Sequence, residues 1–445
     1  MRRKWLKGAL WVLLTPIVLF VILMILLYVP PVQNFIRKQA TAIASDATGM
    51  NISVERIDLR FPLNLLVRGV QVVQSEADAA DVQHPDTLLN LGSLNVSVQA
   101  WPLLQGRVEV NDITLQQVAV NSSNLLEGMH IKGTLGRFFL ESHGIDLKKE
   151  DAILNNVELS NTHMQVMLAD TTETPKDSTE TAVNWRIALH NLKLKNVSVD
   201  LQMPLDSMAL GANIGDASIE DANVDLKRQF YGWRRFTLTE SAVNYDSGMA
   251  APVEGFDASH IALRDIRIGI DSVMSCGRDM NAIIREFSMY DRSGLTVTSL
   301  TGRLFADSTL IRIPYLQLKT PHSDMDLTAQ TYWKLVDIPT TGHLSARFNA
   351  NIGKQDVLLF AGGLPETFKE AYPFRPLVIH AGTEGNLKQM QISRFTAELP
   401  GAFFLSGGGE LWNLTDSLTR NGGLDFEMQT QDLNFLTGLT GVTPD

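Results

Sequence analysis

"VEVNDITL" runs from Val108 to Leu115 and carries its aliphatic residues at the first, third, sixth and eighth places. Strand alternation would put them at the first, third, fifth and seventh, and a helix would space them i, i+3, i+4, i+7. Neither template fits. The same arrangement returns at "ISVERIDL" (52–59), "IALHNLKL" (187–194), "IALRDIRI" (261–268) and "IRIPYLQL" (311–318), where composition alone yields on the order of one match. Two copies run on by another step, to Val118 and Val120 and to Val197 and Val199.

Residues two apart in a strand share a face. One extra residue between the third and sixth places re-phases the alternation, so both halves present their aliphatic side chains to the same side. A β-bulge or sharp bend does this and adds local twist and curvature. The intervening pairs, Glu55-Arg56, Asn111-Asp112, His190-Asn191 and Arg264-Asp265, are polar and are expected to face water at the bend. The expected units are bent strands, apolar on one face. Their apolar residues are Ile52, Val54, Ile57 and Leu59; Val108, Val110, Ile113 and Leu115; Ile187, Leu189, Leu192 and Leu194; Ile261, Leu263, Ile266 and Ile268; and Ile311, Ile313, Leu316 and Leu318.

The N-terminus reads differently. Arg2, Arg3, Lys4 and Lys7 precede an uncharged run from Gly8 to Val29, long enough to cross a bilayer core of about 30 Å. A cleaved signal peptide would have a shorter apolar region ending in a small-x-small site. This run exits through "YVPPVQNF", so residues 1–30 read as a basic end and an uncleaved anchor. The excess of positive charge before the span places the N-terminus in the cytoplasm and everything after Pro30 across the membrane.

Beyond Pro30-Pro31, Val32, Phe35, Ile36, Ala40, Ile43 and Ala44 fall on one helical face, and Gly49 is placed to end the helix. Residues 31–50 are therefore expected to form an amphipathic helix covering the end of a sheet. From 51 to 445 nearly every signal is strand, as in "LNVSVQA", "LTVTSLTGRL" and "RIPYLQLKT". Short helical turns are expected in "RDMNAIIREF" and across "KQDVLLFAGGLPETFKEAY", and exposed loops at 75–87 and 169–182.

Chemistry is sparse. Of the residues, 44% are hydrophobic, enough for folded structure, and the net charge of −11 argues against a nucleic-acid partner. Cys276 is the single cysteine, which excludes an internal disulfide framework and a multi-cysteine metal site, and reads as a small, inert thiol. Nine histidines are scattered without HExxH or an i, i+4 pair, and neither GxSxG nor GxxxxGK[ST] occurs. "GTLGRF" (133–138) and "SGGG" (406–409) read as glycine turns. No catalysis, metal or other cofactor is expected.

The apolar strand faces could fill ordinary sandwich cores. The membrane tether and the single apolar side kept through each bend point instead to a sheet that curls over its apolar face without closing. Acyl chains suit such a trough, since each buried CH₂ contributes about 0.8 kcal/mol.

The anchor, the helix ending in "SDATGMNISVERIDLRFPLNLLVRGVQVV" and the run "LGSLNVSVQAWPLLQGRVEVNDITLQQVAV" together resemble the N-terminal part of the AsmA-like superfamily, and within it the TamB-like family (translocation and assembly module subunit TamB). The most characteristic piece is Gly106 to Leu115 after Pro102-Leu103-Leu104. "REFSMYDRSGLTVTSLTGRLFADSTLIRIPYLQLKTPHSDMDL" is similar to the versions carried by Bacteroidetes. The resemblance implies an inner-membrane, single-pass periplasmic protein of Gram-negative bacteria, built as an elongated, taco-like antiparallel β groove with few short helices. It implies phospholipid as cargo, transport towards the outer membrane and a part in envelope biogenesis. It also implies an alternative, a scaffold for outer-membrane protein assembly or secretion with an Omp85-class (TamA-like) partner, offering strand edges by β-augmentation. The chain stops after "LTGLTGVTPD", so the family's C-terminal domain is expected to be lacking. A third possibility, a tethered enzyme on β sandwiches, lacks a catalytic constellation.

Overall fold

The computed structural model describes residues 30–60, 64–73, 87–99, 110–122, 129–146, 149–168, 184–248, 250–361, 363–432 and 435. The expected span at residues 8–29, residues 75–86 of the first expected loop and the loop at 169–182 lie outside the described residues. Among the described residues no helix is long and apolar enough to cross a membrane. Strands make up 69% of the described residues, in open, curled, antiparallel sheet with few short helices. The mostly-β class expected from the strand signals is what the chain forms.

The chain divides into two compact units. The first holds helix α1 (Pro30–Thr48) and strands β1 (Asn51–Arg60), β2 (Asn64–Val73), β3 (Thr87–Val98), β4 (Val110–Asn121), β5 (Met129–Asp146) and β6 (Asp151–Leu168), with Lys195–Val199 of β7 (Arg186–Met203). From β1 to β6 each strand pairs antiparallel with the next.

The second unit holds the rest of β7, then β8 (Met208–Asp225), β9 (Phe230–Ser247), β10 (His260–Cys276), β11 (Asp279–Asp291), β12 (Thr296–Val297), β13 (Ser299–Ala306), β14 (Leu310–Lys319) and β15 (Asp324–Tyr332). Helix α2 (Trp333–Asp337) leads to β16 (Leu344–Ile352). Helices α3 (Lys354–Phe360) and α4 (Glu366–Ala371) precede β17 (Leu377–Gly385), β18 (Gln389–Leu399), β19 (Phe403–Trp412) and β20 (Asn421–Thr430). From β8 to β20 the pairing is again antiparallel and sequential, the short β12 lying on β11, which pairs onward with β13.

Helix α1 starts at Pro30, which has no N–H to leave unpaired. It ends at Gly49, whose φ of +69° suits glycine and whose N–H donates to Ser45 O at 2.9 Å. Two residues of its apolar stripe, Phe35 and Ile43, stay 66% and 60% exposed, while Val32 and Ala44 are half-buried. Its polar residues bond to β1. Gln33 Nε2 donates to Leu59 O at 3.3 Å, Arg37 Nη1 donates to Val54 O and Glu55 O at 3.2 and 2.7 Å, and Ile52 N donates to Ser45 Oγ at 3.1 Å. The physical reason lies in β1, an edge strand whose outward N–H and C=O groups need polar partners more than apolar cover. The side chains of Ile36 and Ala40 lie outside the described part. Charge-assisted hydrogen bonds contribute about 1.5–3 kcal/mol, so Arg37→Ala is expected to speed amide exchange across Asn51–Arg60 about ten-fold or more relative to β4. Uniform exchange in the two strands would show that α1 does not protect this edge.

Two local expectations are corrected. "RDMNAIIREF" forms the start of β11 and no helix. Met280, Ala282 and Ile284 alternate and face Ala306, Leu304 and Gly302 of β13, so the period-two partner decides the conformation. "GTLGRF" and "SGGG" are not turns: the first lies inside β5 and the second inside β19. Their glycines admit neighbouring strands, as where a Cβ at Gly133 would stand 2.8 Å from His163 O and where the Phe426 ring covers Gly407. Helices α3 and α4 do occupy "KQDVLLFAGGLPETFKEAY" and build a local core. Phe368, Tyr372, Leu399, Ala402 and Phe435 are buried there, with Val357, Leu358, Leu377 and Phe403 against them.

Candidate functional site

The two-residue polar steps define the geometry. In β1 and β2 the register is unbroken from Asn51↔Val73 to Arg60↔Asn64, so no bulge lies at Glu55-Arg56. Both strands instead re-phase at the same place. Ile52, Val54, Ile57 and Leu59 face Val72, Val70, Val67 and Leu65, the mirrored pattern, with Gly69 at φ +59° as the second residue of the step Arg68-Gly69.

The step continues across the first unit. In register it reads Glu55, Gly69, Gly92, Gln117, Gly136 and Asn161 on β1 to β6, each a position that the pairing skips while the register on either side is kept. Gln117 and Asn161 take φ of 56° and 51°, left-handed values that most residues avoid. The residue facing each of them is a glycine. A Cβ at Gly92 would stand 2.9 Å from Gln117 Cβ, and one at Gly136 would stand 2.8 Å from both Asn161 Cβ and Asn161 O. A transverse crease therefore crosses the sheet, with left-handed residues on β2, β4 and β6 and their room supplied by β3 and β5. Asn196 of β7, at φ 53°, extends the line, its Nδ2 donating to Asn161 Oδ1 at 2.9 Å.

In the second unit the steps are partly bulges. Register shifts fall between Arg264 and Arg267 of β10 and between Ile313 and Leu316 of β14, as the spacing leads one to expect. Asp265 is left-handed at φ 53°. An in-register crease also occurs there, where left-handed Glu240 faces Gly215. At the step Glu220-Asp221, Arg234 faces Asp221 and donates through Nε to Asp221 Oδ2 at 2.7 Å and through Nη2 to Glu220 Oε2 at 2.6 Å, while His190 Nδ1 lies 3.3 Å from Asp221 Oδ1. The Arg234 guanidinium, and His190 beside it, hold the Asp221 carboxyl below its ordinary range. The steps thus turn polar and charged groups to one side.

The other side is apolar in continuous rows. In the first unit Ile57, Val67, Leu94, Leu115, Phe138 and Leu159 face one another in succession across six strands, as do Leu59, Leu65, Val96, Ile113, Leu140 and Val157. In the second, a row from Ile219 and Phe236 through Ile270, Ile284, Gly302, Leu316, Leu327, Phe348, Ala381, Phe395 and Gly407 ends at Phe426 on β20. Cross-strand partners share a face, so these are strips of one surface in each unit.

The structure brings together Ile52, Val54, Ile57 and Leu59 with Val110, Ile113 and Leu115, while Val108 lies outside the described residues. In the second unit Ile261, Leu263, Ile266 and Ile268 face Tyr245, Val243, Ser241 and Leu238 on β9. Ile313, Leu316 and Leu318 face Ala329, Leu327 and Met325, but Ile311 faces the polar Thr331. Ile187, Leu189, Leu192 and Leu194 lie on β7. Of the described residues in this set only Ile266, 4% exposed, is buried; the others are half-buried. Side chains of an ordinary core touch neighbours on every side and lose nearly all exposure. These touch neighbours within the sheet and stay open above it.

The eight-place template missed the rest of the lining, because it demanded Ile, Leu or Val. Phe138, Phe236, Phe348, Phe395 and Ala381 fill equivalent places. A usable signal was present in the steps themselves, where Gly69, Gln117, Asn161, Asn196, Asp221, Glu240 and Asp265 all stand second in the pair between two inward residues. Among the described residues no group of three or more His, Cys, Asp or Glu could hold a metal ion.

Fold and site define a protein of antiparallel open sheets, each unit apolar on one side of its strands. No family model matches the chain, and no curated protein matches it either.

Proposed function

We propose that this protein is a non-enzymatic, membrane-anchored lipid conduit of the TamB-like kind, whose apolar rows shield the acyl chains of phospholipids while headgroups stay in water. One observation carries the reading: aliphatic residues aligned over six and more strands remain half-exposed, where a closed core would bury them. Greasy surface of that extent on a protein in water needs an occupant, since monomers rarely leave it bare. The polar steps favour the same reading, because they turn charge away from the apolar side at most bends. In this reading the run Gly8 to Val29 tethers the chain to the inner membrane with its N-terminus in the cytoplasm, and the sheets work in the periplasm, moving lipid towards the outer membrane.

The test is mass spectrometry of phospholipid bound to residues 31–445 after native extraction, beside an Ile113→Asp, Leu192→Asp double variant and an Asp112→Lys control. A carboxylate on the apolar side lacks any partner there and opposes acyl-chain contact. Near-stoichiometric lipid is expected in the parent and the control, with most of it lost in the folded double variant. A parent that emerges free of lipid would overturn the proposal, as would equal lipid in the double variant.

A further inference from the structure

The second unit carries a cavity of about 190 Å³ beside the step in β14. Five polar side chains line it: Arg312 of β14, Thr328 and Gln330 of β15, and Ser345 and Arg347 of β16. Register explains why they meet. Arg312 faces Gln330, which faces Ser345, while Thr328 faces Arg347. Cross-strand partners share a face, and successive residues of a strand take opposite ones. Thr328 and Arg347 follow and precede Leu327 and Phe348 of the long apolar row by one place, so the five side chains lie on the other side of the sheet from that row.

What these groups offer is hydrogen-bond donors. Arg312 Nε donates to Gln330 Oε1 at 3.1 Å. That bond uses the acceptor of the amide, leaves its Nε2–H groups to donate, and holds the Arg312 guanidinium with both Nη groups unspent. Arg347 and the hydroxyls of Thr328 and Ser345 have no hydrogen-bond or ion-pair partner among the described residues. No carboxylate lines the cavity. On the same side of the sheet Asp326 stands two places from Thr328 and Glu384 faces Ser345, yet neither pairs with either arginine. Asp307 feels the Arg312 charge at longer range, its carboxylate being bonded to Thr309 N and Leu310 N. Elsewhere in this unit Arg234, Arg235, Arg278 and Arg285 are each paired with a carboxylate. Arg394 adds a third guanidinium to the side, two strands from Arg347 with Gly382 between them.

We infer that this cavity is a binding site for a phosphate group, held between the guanidiniums of Arg312 and Arg347 with Thr328, Gln330 and Ser345 donating to its remaining oxygens. Guanidinium forks meet the oxygens of a phosphate two at a time, and hydrogen bonds to ionised oxygens are about twice as strong as neutral ones. A carboxylate, with two oxygens in one plane, uses fewer of the five donors. The phosphate of a free ester and that of a lipid headgroup share this chemistry. Because the cavity and the apolar rows occupy opposite sides of the sheet, the inference stands apart from the lipid reading.

The test is isothermal titration calorimetry of the full chain in dodecyl maltoside and phosphate-free buffer, with inorganic phosphate, glycerol 3-phosphate and acetate as probes. Both phosphates are expected to bind saturably at one site, and acetate about ten-fold or more weakly. An Arg312→Gln, Arg347→Gln double variant should lose about ten-fold or more in phosphate affinity with its circular dichroism unchanged, both side chains being exposed. The Ile113→Asp, Leu192→Asp variant should bind phosphate like the parent, so that this inference and the lipid reading fail separately. In that same variant dihexanoyl phosphatidic acid identifies the source: tighter binding than glycerol 3-phosphate assigns the site to a lipid headgroup, and equal or weaker binding assigns it to a free ester. No saturable phosphate binding, equal binding by the Arg312 and Arg347 variant, or acetate bound as tightly as phosphate would each overturn the inference.

Discussion

Gly136→Ala is expected to lower the unfolding free energy by about 1–3 kcal/mol, the cost of overpacking a tight contact, while Gly144→Ala in the same strand leaves it unchanged or raises it by about 0.4–1 kcal/mol. The contrast follows from what a methyl group would meet. At Gly136 it stands 2.8 Å from Asn161 Cβ and O and 3.1 Å from Ser160 O, and two of these atoms are backbone that cannot rotate away. At Gly144 nothing lies within 4 Å. Because Asn161 is already held at φ 51°, the new methyl can be relieved only by moving β6 away from β5. That shift displaces Leu159, Thr162 and Met164 from the rows they share with Phe138, Leu135 and Gly133. Urea titration read by circular dichroism gives the stability difference, and bound phospholipid should fall in the Gly136 variant alone. Identical midpoints would mean that the crease tolerates a side chain and does not set the apolar rows.

Leu399→Ala should cost about 2–5 kcal/mol, the range for truncating a buried leucine. Leu399 is 1% exposed, in the cluster where Phe368 meets Phe435 at 5.2 Å and Phe435 stacks on Phe403 at 5.9 Å. The shortened side chain leaves a void that three aromatic rings cannot collapse to fill. Tyr372 in the same cluster supplies the control. Burial pushes its hydroxyl up to about 12, and the hydroxyl finds no hydrogen-bond partner among the described residues. Removing a buried, unpaired polar atom restores no lost bond and relieves a desolvation cost, so Tyr372→Phe should be neutral or stabilising. Thermal unfolding of the two variants side by side decides it, and a Leu399→Ala variant that melts with the parent would show that α3 and α4 are loosely docked.

Much of this was legible in the chain. The first, third, sixth and eighth spacing predicted strands that keep one apolar side through a bend, and the rows through Ile57, Leu115 and Leu316 lie on such strands. It was legible because side-chain direction along a strand is a local property with a fixed period of two, and a two-residue interruption leaves a readable trace. "KQDVLLFAGGLPETFKEAY" announced its helices for a similar reason, its helix formers being broken by Gly362, Gly363 and Pro365.

The failures share a cause. "RDMNAIIREF" looks helical when read alone, and only β13 alongside it selects the alternation of Met280, Ala282 and Ile284. Gly133, Gly136 and Gly407 look like turns because glycine most often marks them, yet each is a place where a neighbouring strand approaches too closely for a side chain. Helix α1 shows the same limit of local reading, since its apolar stripe was plain but the hydrogen bonds of Gln33 and Arg37 to the carbonyls of β1 were not.

The sequence by itself therefore determined the β class, the sidedness of each strand and the places where each one bends, because these depend on residues a few positions apart. Only the tertiary structure decided that the bends of six strands fall on a single crease, and that Gly92 and Gly136 face left-handed Gln117 and Asn161. Those facts depend on register, which is set by pairing between residues that are neighbours in space and distant in the chain.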